Sequence, residues 1–186
     1  MPVEVAIALG SNATSSAGTP KDALRSALIR LPNDSLQLTG VSRFFATPAV
    51  PAGSGPDYVN AAATAVTTLS PPELLAHLHS IEAGLGRERR IRWAARSIDL
   101  DLLWYGDSIL PDGATFGHWH GLSAERQAKE APDCLVLPHP RLQDRAFVLI
   151  PLSEIAAHWR HPVLGVTVRG MAKALPEAEK QAISAI

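Results

Sequence analysis

Two acidic residues, Asp99 and Asp101, stand out in the stretch 96–105 because apolar residues flank each of them. In a β-strand successive side chains point to opposite faces, so both carboxylates fall on one face, roughly 7 Å apart along the strand. Apolar neighbours such as Leu100 can then face a core. Adjacent carboxylates repel each other unless a cation neutralises them, and such oxygen ligands suit Mg²⁺. The pattern indicates a metal-binding strand, with a solvated acidic edge strand as the alternative.

The ten residues 87–96, just before this strand, contain five arginines and Trp93. Guanidinium groups match phosphate oxygens as bidentate donors, and an indole can stack on a base or another flat ring. A basic run is also often only a solvated surface. Because this one directly precedes the acidic pair, the combination favours nucleotide chemistry.

Composition limits the classes of protein to which the chain can belong. Its 186 residues fit one domain, 1–186, and a net charge of -1 argues against a general electrostatic attraction to nucleic acid or membrane. A single cysteine, Cys134, permits no internal disulfide, and the apolar residues 3–9 are too few for a signal peptide or a membrane span. We expect a cytoplasmic monomer with no nucleic-acid or membrane partner.

Three apolar segments have the composition of β-strands. The first, residues 3–9, ends at a Gly-Ser-Asn cluster, residues 10–12, that favours a turn, and the second covers residues 36–45. After a loop rich in proline and glycine, a third strand of small side chains carries Tyr58 and Asn60 on one face. That face offers an aromatic wall, an amide and room for a flat ligand, although a surface Tyr and Asn pair is the alternative.

Helices are predicted to begin after Thr19 and Ser70, because each is a good N-cap followed by proline and by an acid three residues later. Glu82 falls in the last turn of the second helix, where the helix dipole disfavours an acid. Either a functional role or pairing with a nearby arginine explains it. A further helix is predicted at 147–157, and the tail is predicted to hold a hairpin, a short helix from Thr167 and a frayed end.

Five motifs follow one another within residues 3–157. They read Ala-Leu-Gly-Ser-Asn; Ala-Thr-Pro followed by Pro-Asp-Tyr-Val-Asn-Ala-Ala; Ile-Glu-Ala-Gly-Leu-Gly-Arg; Arg-Trp-Ala-Ala-Arg-Ser-Ile-Asp-Leu-Asp-Leu-Leu; and Leu-Pro-His-Pro-Arg-Leu with a later Arg-Ala-Phe. In order and spacing they resemble the 6-hydroxymethyl-7,8-dihydropterin pyrophosphokinase family of folate biosynthesis. The resemblance implies a ferredoxin-like α+β fold, a mostly antiparallel sheet with helices packed on it. It also implies transfer of pyrophosphate from ATP to the pterin hydroxymethyl group, with release of AMP and with two Mg²⁺ ions.

The same resemblance implies roles for individual residues. Asp99 and Asp101 match the metal ligands, and Arg87, Arg96 and Asp101 match the catalytic positions. The pterin-binding positions are Thr47, Val50, Tyr58, Asn60, Trp93 and Phe147. The ATP-binding positions are Glu82, Arg89, Arg92, His139 and Arg145.

The chain departs from the family pattern in two places. Ala94-Ala95 replaces the usual small residue and proline, so the arginine loop lacks a fixed φ there and its closure over substrates is in question. Residues 107–134 form an insertion, which we expect to be a peripheral surface helix beginning after Ser123. Its His-x-His sequence, residues 118–120, could bind zinc, but the sequence supplies no fixed fourth ligand.

Two other functions remain open on the sequence. A ferredoxin-like sheet with arginines and aromatics could bind single-stranded RNA, although the aromatic strand motif of such domains is absent and the net charge is -1. The chain could also be a paralogue that binds pterin or nucleotide without turnover, because Ala94-Ala95 alters the loop. Formation of AMP with the pterin substrate distinguishes the enzyme from both.

Overall fold

The computed structural model describes residues 1–49, 55–86 and 97–186, and in these ranges an antiparallel sheet is packed between two layers of helices. The strands are β1 (Val3–Ser11), β2 (Leu36–Val41), β3 (Phe45–Thr47), β4 (Tyr58–Thr67), β5 (Asp99–Tyr105) and β6 (Ser184–Ala185). The helices are α1 (Pro20–Arg30), α2 (Pro71–Gly84), α3 (Gly113–His120), α4 (Ala124–Lys129), α5 (Ala146–Ile155), α6 (Val168–Ala174) and α7 (Glu177–Gln181), with a 3-10 turn at Leu142–Asp144.

The sheet has the strand order β5-β1-β4-β3-β6, with β2 also paired to β4. β1 lies between β4 and β5 and is antiparallel to both. An antiparallel sheet with helices packed on both faces is the α+β architecture that the family resemblance implies. Among the helices of the described ranges, none combines the length and the apolar character that crossing a membrane would require.

The first helix layer, α1 and α2, covers the face of the sheet that carries Ile98 and Leu100. Both helices begin at the predicted caps. The Thr19 hydroxyl accepts from the backbone N–H of Asp22, whose carboxylate accepts from the Thr19 N–H, and Ser70 forms the equivalent capping box with Glu73. These boxes satisfy N–H groups that would otherwise lack partners in the first turn.

The second layer, α5 and α6, packs on the opposite face around Leu103 and Trp104. The Trp104 indole stacks on Trp159 with ring centroids 4.0 Å apart and an interplanar angle of 7°. His161 meets the edge of Trp159, and Phe116 of α3 packs against His161. We call these four residues the aromatic column, and it connects β5 through the tail to the insertion.

Three expectations about elements need correction. The predicted strand 36–45 is divided into β2 and β3, because Ser42 leaves the ladder and its hydroxyl accepts from the Ala62 N–H at 2.9 Å. The end of the chain is not frayed, since β6 pairs with β3. The insertion contains α3 in addition to the predicted α4, and Phe116 of α3 is only 1% exposed, so the insertion is not wholly peripheral.

Candidate active site

Strand β5 places the two aspartates as its alternating sequence predicts. Ile98 and Leu100 are buried against the α1 and α2 layer, while Asp99 and Asp101 are half-buried on the opposite face. Further along β5 the same face is covered, because Leu103 and Trp104 pack under α5 and α6. The carboxylates therefore lie at the open end of a strand whose other end is enclosed.

Gly10 separates the acidic pair from Asn60 in a row that crosses three strands. Gly10 pairs with Asn60 on β4 and with Asp99 on β5. A Cβ built on Gly10 would lie 2.7 Å from Oδ1 of Asn60, closer than two such atoms can approach. With adjacent strands about 4.8 Å apart, the Cα atoms of Asn60 and Asp99 are roughly 10 Å apart across the sheet, and the Asn60 amide extends over Gly10 between them. The sequence predicts a turn at Gly10, whereas the strand continues through it to Ser11.

The amide of Asn60 is held in a fixed orientation. Its Nδ2 donates to the hydroxyl oxygen of Thr47 at 2.6 Å, and both residues are 5% exposed. Tyr58 pairs with Thr47 across β3 and β4 and lies on the same face by strand alternation. The structure thus brings together three of the predicted pterin-binding residues, on the sheet face that also carries the aspartates.

Two polar residues that sequence reasoning did not assign hold the backbone around this face. Nδ2 of Asn12 donates to the carbonyl of Pro56 at 3.2 Å, and the carboxylate of Asp57 accepts from the Ala49 N–H at 3.2 Å. Asn12 belongs to the Gly-Ser-Asn cluster, whose polar side chains were the available signal. The first contact links the segment before β4 to the end of β1, and the second joins the residues on either side of positions 50–54.

Arg145 bonds to one carboxylate of the acidic pair. Its guanidinium donates to Oδ2 of Asp101 at 3.2 Å, and the two side chains are 22% and 38% exposed, respectively. The guanidinium also lies 5.7 Å from the ring centroid of Phe147, which is 39% exposed. Arg145 is the residue before α5, so this helix positions an arginine and an aromatic ring beside the aspartates.

His139 is hydrogen-bonded to the backbone of β5. Its backbone N–H donates to the carbonyl of Leu103 at 2.8 Å, and its Nδ1 accepts from the Arg141 N–H at 3.1 Å. Because Nδ1 accepts, the neutral ring carries its proton on Nε2. Burial lowers the pKa of His139 well below its usual range, and the charges of Arg145 and Arg141 add to this, against a smaller opposing effect of Asp99. The ring is therefore a neutral hydrogen-bond donor near pH 7.

Glu82 of α2 is hydrogen-bonded to the backbone of β5. It is 1% exposed, and its Oε1 accepts from the Leu100 N–H at 2.8 Å, between the two aspartates. β5 is the edge strand, so this carboxylate satisfies an N–H on the side away from β1. The prediction that Glu82 binds ATP remains a prediction, because the observed contact is to the backbone.

Six of the predicted site residues lie outside the described residues. Their assignment to catalysis or binding stays a prediction, as does closure of the arginine loop. They are Arg87 and Arg96 among the catalytic positions, Val50 and Trp93 among the pterin positions, and Arg89 and Arg92 among the ATP positions.

The donor set at β5 fits Mg²⁺. In the described ranges no group of three or more His, Cys, Asp or Glu side chains has the arrangement of a metal site, so a closed structural zinc site of these residues is not present there. Mg²⁺ is commonly bound by one or two carboxylates and completes its coordination with water and substrate phosphates. Asp99 and Asp101, half-buried with Arg145 already drawn to one of them, are the residues that would hold it.

Comparison with known proteins identifies the family of the chain. Residues 6–157 match the family model described as 7,8-dihydro-6-hydroxymethylpterin-pyrophosphokinase. A 2-amino-4-hydroxy-6-hydroxymethyldihydropteridine pyrophosphokinase from Synechocystis is 42% identical over 61% of the chain, and one from Haemophilus influenzae is 37% identical over 81%. The matches span 48% and 80% of those two proteins, and 26% of an Arabidopsis thaliana mitochondrial folate synthesis bifunctional protein that is 34% identical.

Solved structures support the fold alone, because their sequences are distant. A crystal structure of HPPK-DHPS in complex with substrates superposes with a TM-score of 0.65 at 11% identity, covering 94% of this chain and 43% of that one. Plasmodium falciparum HPPK-DHPS with pteroate gives 0.64 at 12% identity, with 93% and 44% coverage. The family match covers most of the sheet and the acidic strand within it. The chain therefore belongs to the 7,8-dihydro-6-hydroxymethylpterin-pyrophosphokinase family.

Proposed function

We propose that this chain transfers the pyrophosphoryl group of ATP to the hydroxymethyl oxygen of 6-hydroxymethyl-7,8-dihydropterin and releases AMP. One observation carries the proposal. The oriented amide of Asn60 and the carboxylates of Asp99 and Asp101 share one open face of the sheet, with only Gly10 between them. A flat heterocycle at the amide and a phosphate chain at the acids would meet across that gap.

The pterin side of the face uses complementary hydrogen bonds and ring contacts. Because Nδ2 of Asn60 donates to Thr47, the amide oxygen is free to accept from the N–H groups of a pterin edge. Tyr58 and the exposed ring of Phe147 supply aromatic surfaces beside it. Offset stacking on such surfaces binds a flat ring, while the amide selects its orientation.

The phosphate side uses cationic and neutral donors. Arg145 can turn from Asp101 to a phosphate oxygen, since guanidinium groups bind either acid, and Nε2 of His139 donates without adding a charge. Bound at Asp99 and Asp101, two Mg²⁺ ions would supply neutralisation of the phosphate charge and polarise the group that is transferred. The carboxylates would hold the ions on the sheet face that also carries the amide of Asn60.

The reaction forms one bond and breaks one. The hydroxymethyl oxygen bonds to the β-phosphorus, the bond from that phosphorus to the α,β-bridging oxygen breaks, and AMP leaves with the electron pair. The hydroxyl proton leaves late in a loose transition state, so no strong base is needed, and the carboxylate of Asp101 can take it up. Precise placement of the two substrates supplies much of the acceleration.

The proposal includes assignments that lie beyond the site geometry. It takes residues 1–186 as one pyrophosphokinase domain with an insertion at about 107–134, acting as a cytoplasmic monomer. Arg87 and Arg96 are proposed to close on the phosphates, with Arg89 and Arg92 on the ATP side. Val50 and Trp93 are proposed to complete the pterin pocket. The family match supports the assignments of these six residues, because all of them lie within residues 6–157.

Product analysis tests the function directly. The purified chain is incubated with ATP, Mg²⁺ and the pterin, and nucleotides and pterins are separated by chromatography. We expect AMP and a pterin diphosphate in equal amounts. ADP with a pterin monophosphate would show an ordinary kinase, and binding of both substrates without any product would show a paralogue without turnover.

A further inference from the structure

The guanidinium of Arg141 has no carboxylate partner among the residues that the structure describes. Its Nε is buried and has no hydrogen-bond partner, and within the described residues the side chain forms no ion pair. Burying a charged donor with no acceptor is costly, so such a group indicates a missing partner.

The surroundings of Arg141 increase this cost. Burial lowers its pKa, the neighbouring charge of Arg145 lowers it further, and Asp144 opposes both. Among the described residues Asp144 forms no ion pair with Arg141, and its carboxylate accepts from Nε2 of Gln143 at 2.8 Å. Of the two arginines, Arg145 bonds to the carboxylate of Asp101, and Arg141 bonds to no carboxylate in the part of the chain that the structure describes.

The fold uses the backbone of Arg141 and not its side chain. The Arg141 N–H donates to Nδ1 of His139 and so sets the ring tautomer, a contact that any residue except proline could make. The charges of Arg145 and Arg141 both lower the pKa of His139, whose own backbone N–H bonds to the carbonyl of Leu103 in β5. Arg141 is thus linked to the acidic strand through His139, and no structural contact of the described residues explains its guanidinium.

We propose that Arg141 binds a phosphate oxygen of ATP, acting with Arg145 on the polyphosphate chain. The inference rests on the proposed function only in taking ATP as a substrate. An oligophosphate supplies the anionic acceptors that the buried Nε lacks, and it separates the two like charges by placing negative charge between them. Arg141 is then a binding residue in addition to those that the family resemblance assigns.

Binding of ATP alone, measured by calorimetry with the full chain, tests this inference. Arg141→Gln should weaken ATP binding by about tenfold to a hundredfold, the usual effect of losing a hydrogen bond to a charged group. The affinity of this variant for tripolyphosphate should fall by a similar factor, whereas its KM for the pterin should stay the same as that of the wild type. Arg141→Lys should restore only part of the affinity, because an ammonium cannot reproduce the guanidinium fork. Arg126→Gln, which removes an exposed partner of Glu130 in α4, is the matched control and should bind ATP normally.

Thermal unfolding without ligand distinguishes binding from a structural role. If the Arg141 side chain binds an anion and does not stabilise the free protein, Arg141→Gln should keep or raise the Tm of the free protein. The same variant should show a smaller increase in Tm on addition of ATP. Unchanged ATP affinity would overturn the inference, and so would a lower Tm of the free variant. If the proposed function is wrong, the result differs: the wild-type protein binds ATP more tightly than Arg141→Gln does but forms no AMP.

Discussion

Gly10 controls how close the amide of Asn60 can come to the aspartate strand. A side chain there would occupy the space of the Asn60 amide oxygen, 2.7 Å from the added Cβ. The absence of a side chain is therefore a positive feature of the site, because it leaves room for the amide oxygen of Asn60 next to the aspartate strand. This requirement arises in the middle of a strand and not at a turn.

We expect Gly10→Ala to raise the KM for the pterin by about tenfold or more, since a displaced Asn60 loses a hydrogen bond worth about 1 to 2 kcal/mol. ATP binding measured without pterin should change little. Gly117→Ala is the matched control, because a Cβ there meets no atom within 4 Å. An unchanged pterin KM in Gly10→Ala would remove Asn60 from the pterin site.

Asp99→Ala and Asp101→Ala should each lower kcat by several orders of magnitude, because phosphoryl transfer depends on neutralising charge with metal ions. The free energy of unfolding should stay the same or rise in Asp99→Ala, since the change relieves repulsion between neighbouring carboxylates, whereas in Asp101→Ala the loss of the contact with Arg145 offsets that gain. Steady-state assays at saturating Mg²⁺ and urea unfolding measure the two effects. Asp107→Ala, at an exposed position after β5, is the control and should retain activity. Near-normal turnover of either aspartate variant would contradict the metal assignment.

At the scale of elements, β5 is an edge strand that carries the acidic pair, and its position depends on support from α2. The contact of Glu82 with the Leu100 N–H holds the strand at the point between the two aspartates. A strand held only by β1 on one side would be freer to shift, and a shift would move both carboxylates.

Glu82→Ala should lower the free energy of unfolding by about 1 to 3 kcal/mol, because it leaves a buried N–H without an acceptor. Turnover should fall with it, since the aspartates lose their support. Glu82→Gln keeps an oxygen at the same place and should recover much of the stability. Urea unfolding of both variants, with kcat measured in parallel, checks the prediction. Equal loss in the two variants would show that the charge and not the hydrogen bond matters.

Local patterns predicted the elements that depend on neighbouring residues along the chain. The alternation around Asp99 and Asp101 and the capping boxes of Thr19 and Ser70 needed only short-range rules, and the structure confirms them. What the sequence could not supply are long-range contacts. The role of Gly10 depends on Asn60, fifty residues away in sequence, and the strand β6 forms because β3 offers it a free edge.

The same reason explains the misjudged insertion. Phe116 sits in a segment of mixed composition, and its burial depends on His161, which is far along the chain. The resemblance assigns Arg145 to ATP binding, and the structure adds a contact that the resemblance does not give, the hydrogen bond to Asp101. Arg141 was passed over because nothing in its local sequence marks a guanidinium without a counter-ion.

At the scale of the whole molecule, the aromatic column joins the sheet, the tail and the insertion. His161 is its middle member and is fully buried, and its Nδ1 accepts from the N–H groups of Val163 and Leu164. Burial, together with the nearby His120, lowers the pKa of His161 to about 4. A protonated ring would lose these backbone bonds.

Acid should therefore destabilise the protein through His161. The unfolded chain takes up this proton near pH 6.5 and the folded chain only near pH 4, so the stabilisation is complete above pH 6.5 and is lost as the pH falls toward 4. The total is at most about 3 kcal/mol, at 1.36 kcal/mol for each pH unit. Urea unfolding across this range should show a shallower pH dependence in His161→Gln. His158→Gln, at an exposed neighbouring position, should behave as wild type, and equal slopes in all three proteins would contradict the assignment.

The stacking of Trp104 on Trp159 has an optical consequence. Two indoles 4.0 Å apart and nearly parallel couple their electronic transitions, so the pair should give a near-ultraviolet circular dichroism signal that neither indole gives alone. Trp104 belongs to the strand that carries the aspartates, and Trp159 belongs to the segment that contacts the insertion through His161. The signal consequently reports whether sheet and tail are in contact, without any added dye. Its loss in Trp159→Phe would identify it, and following it through unfolding would show whether the tail separates before the sheet opens.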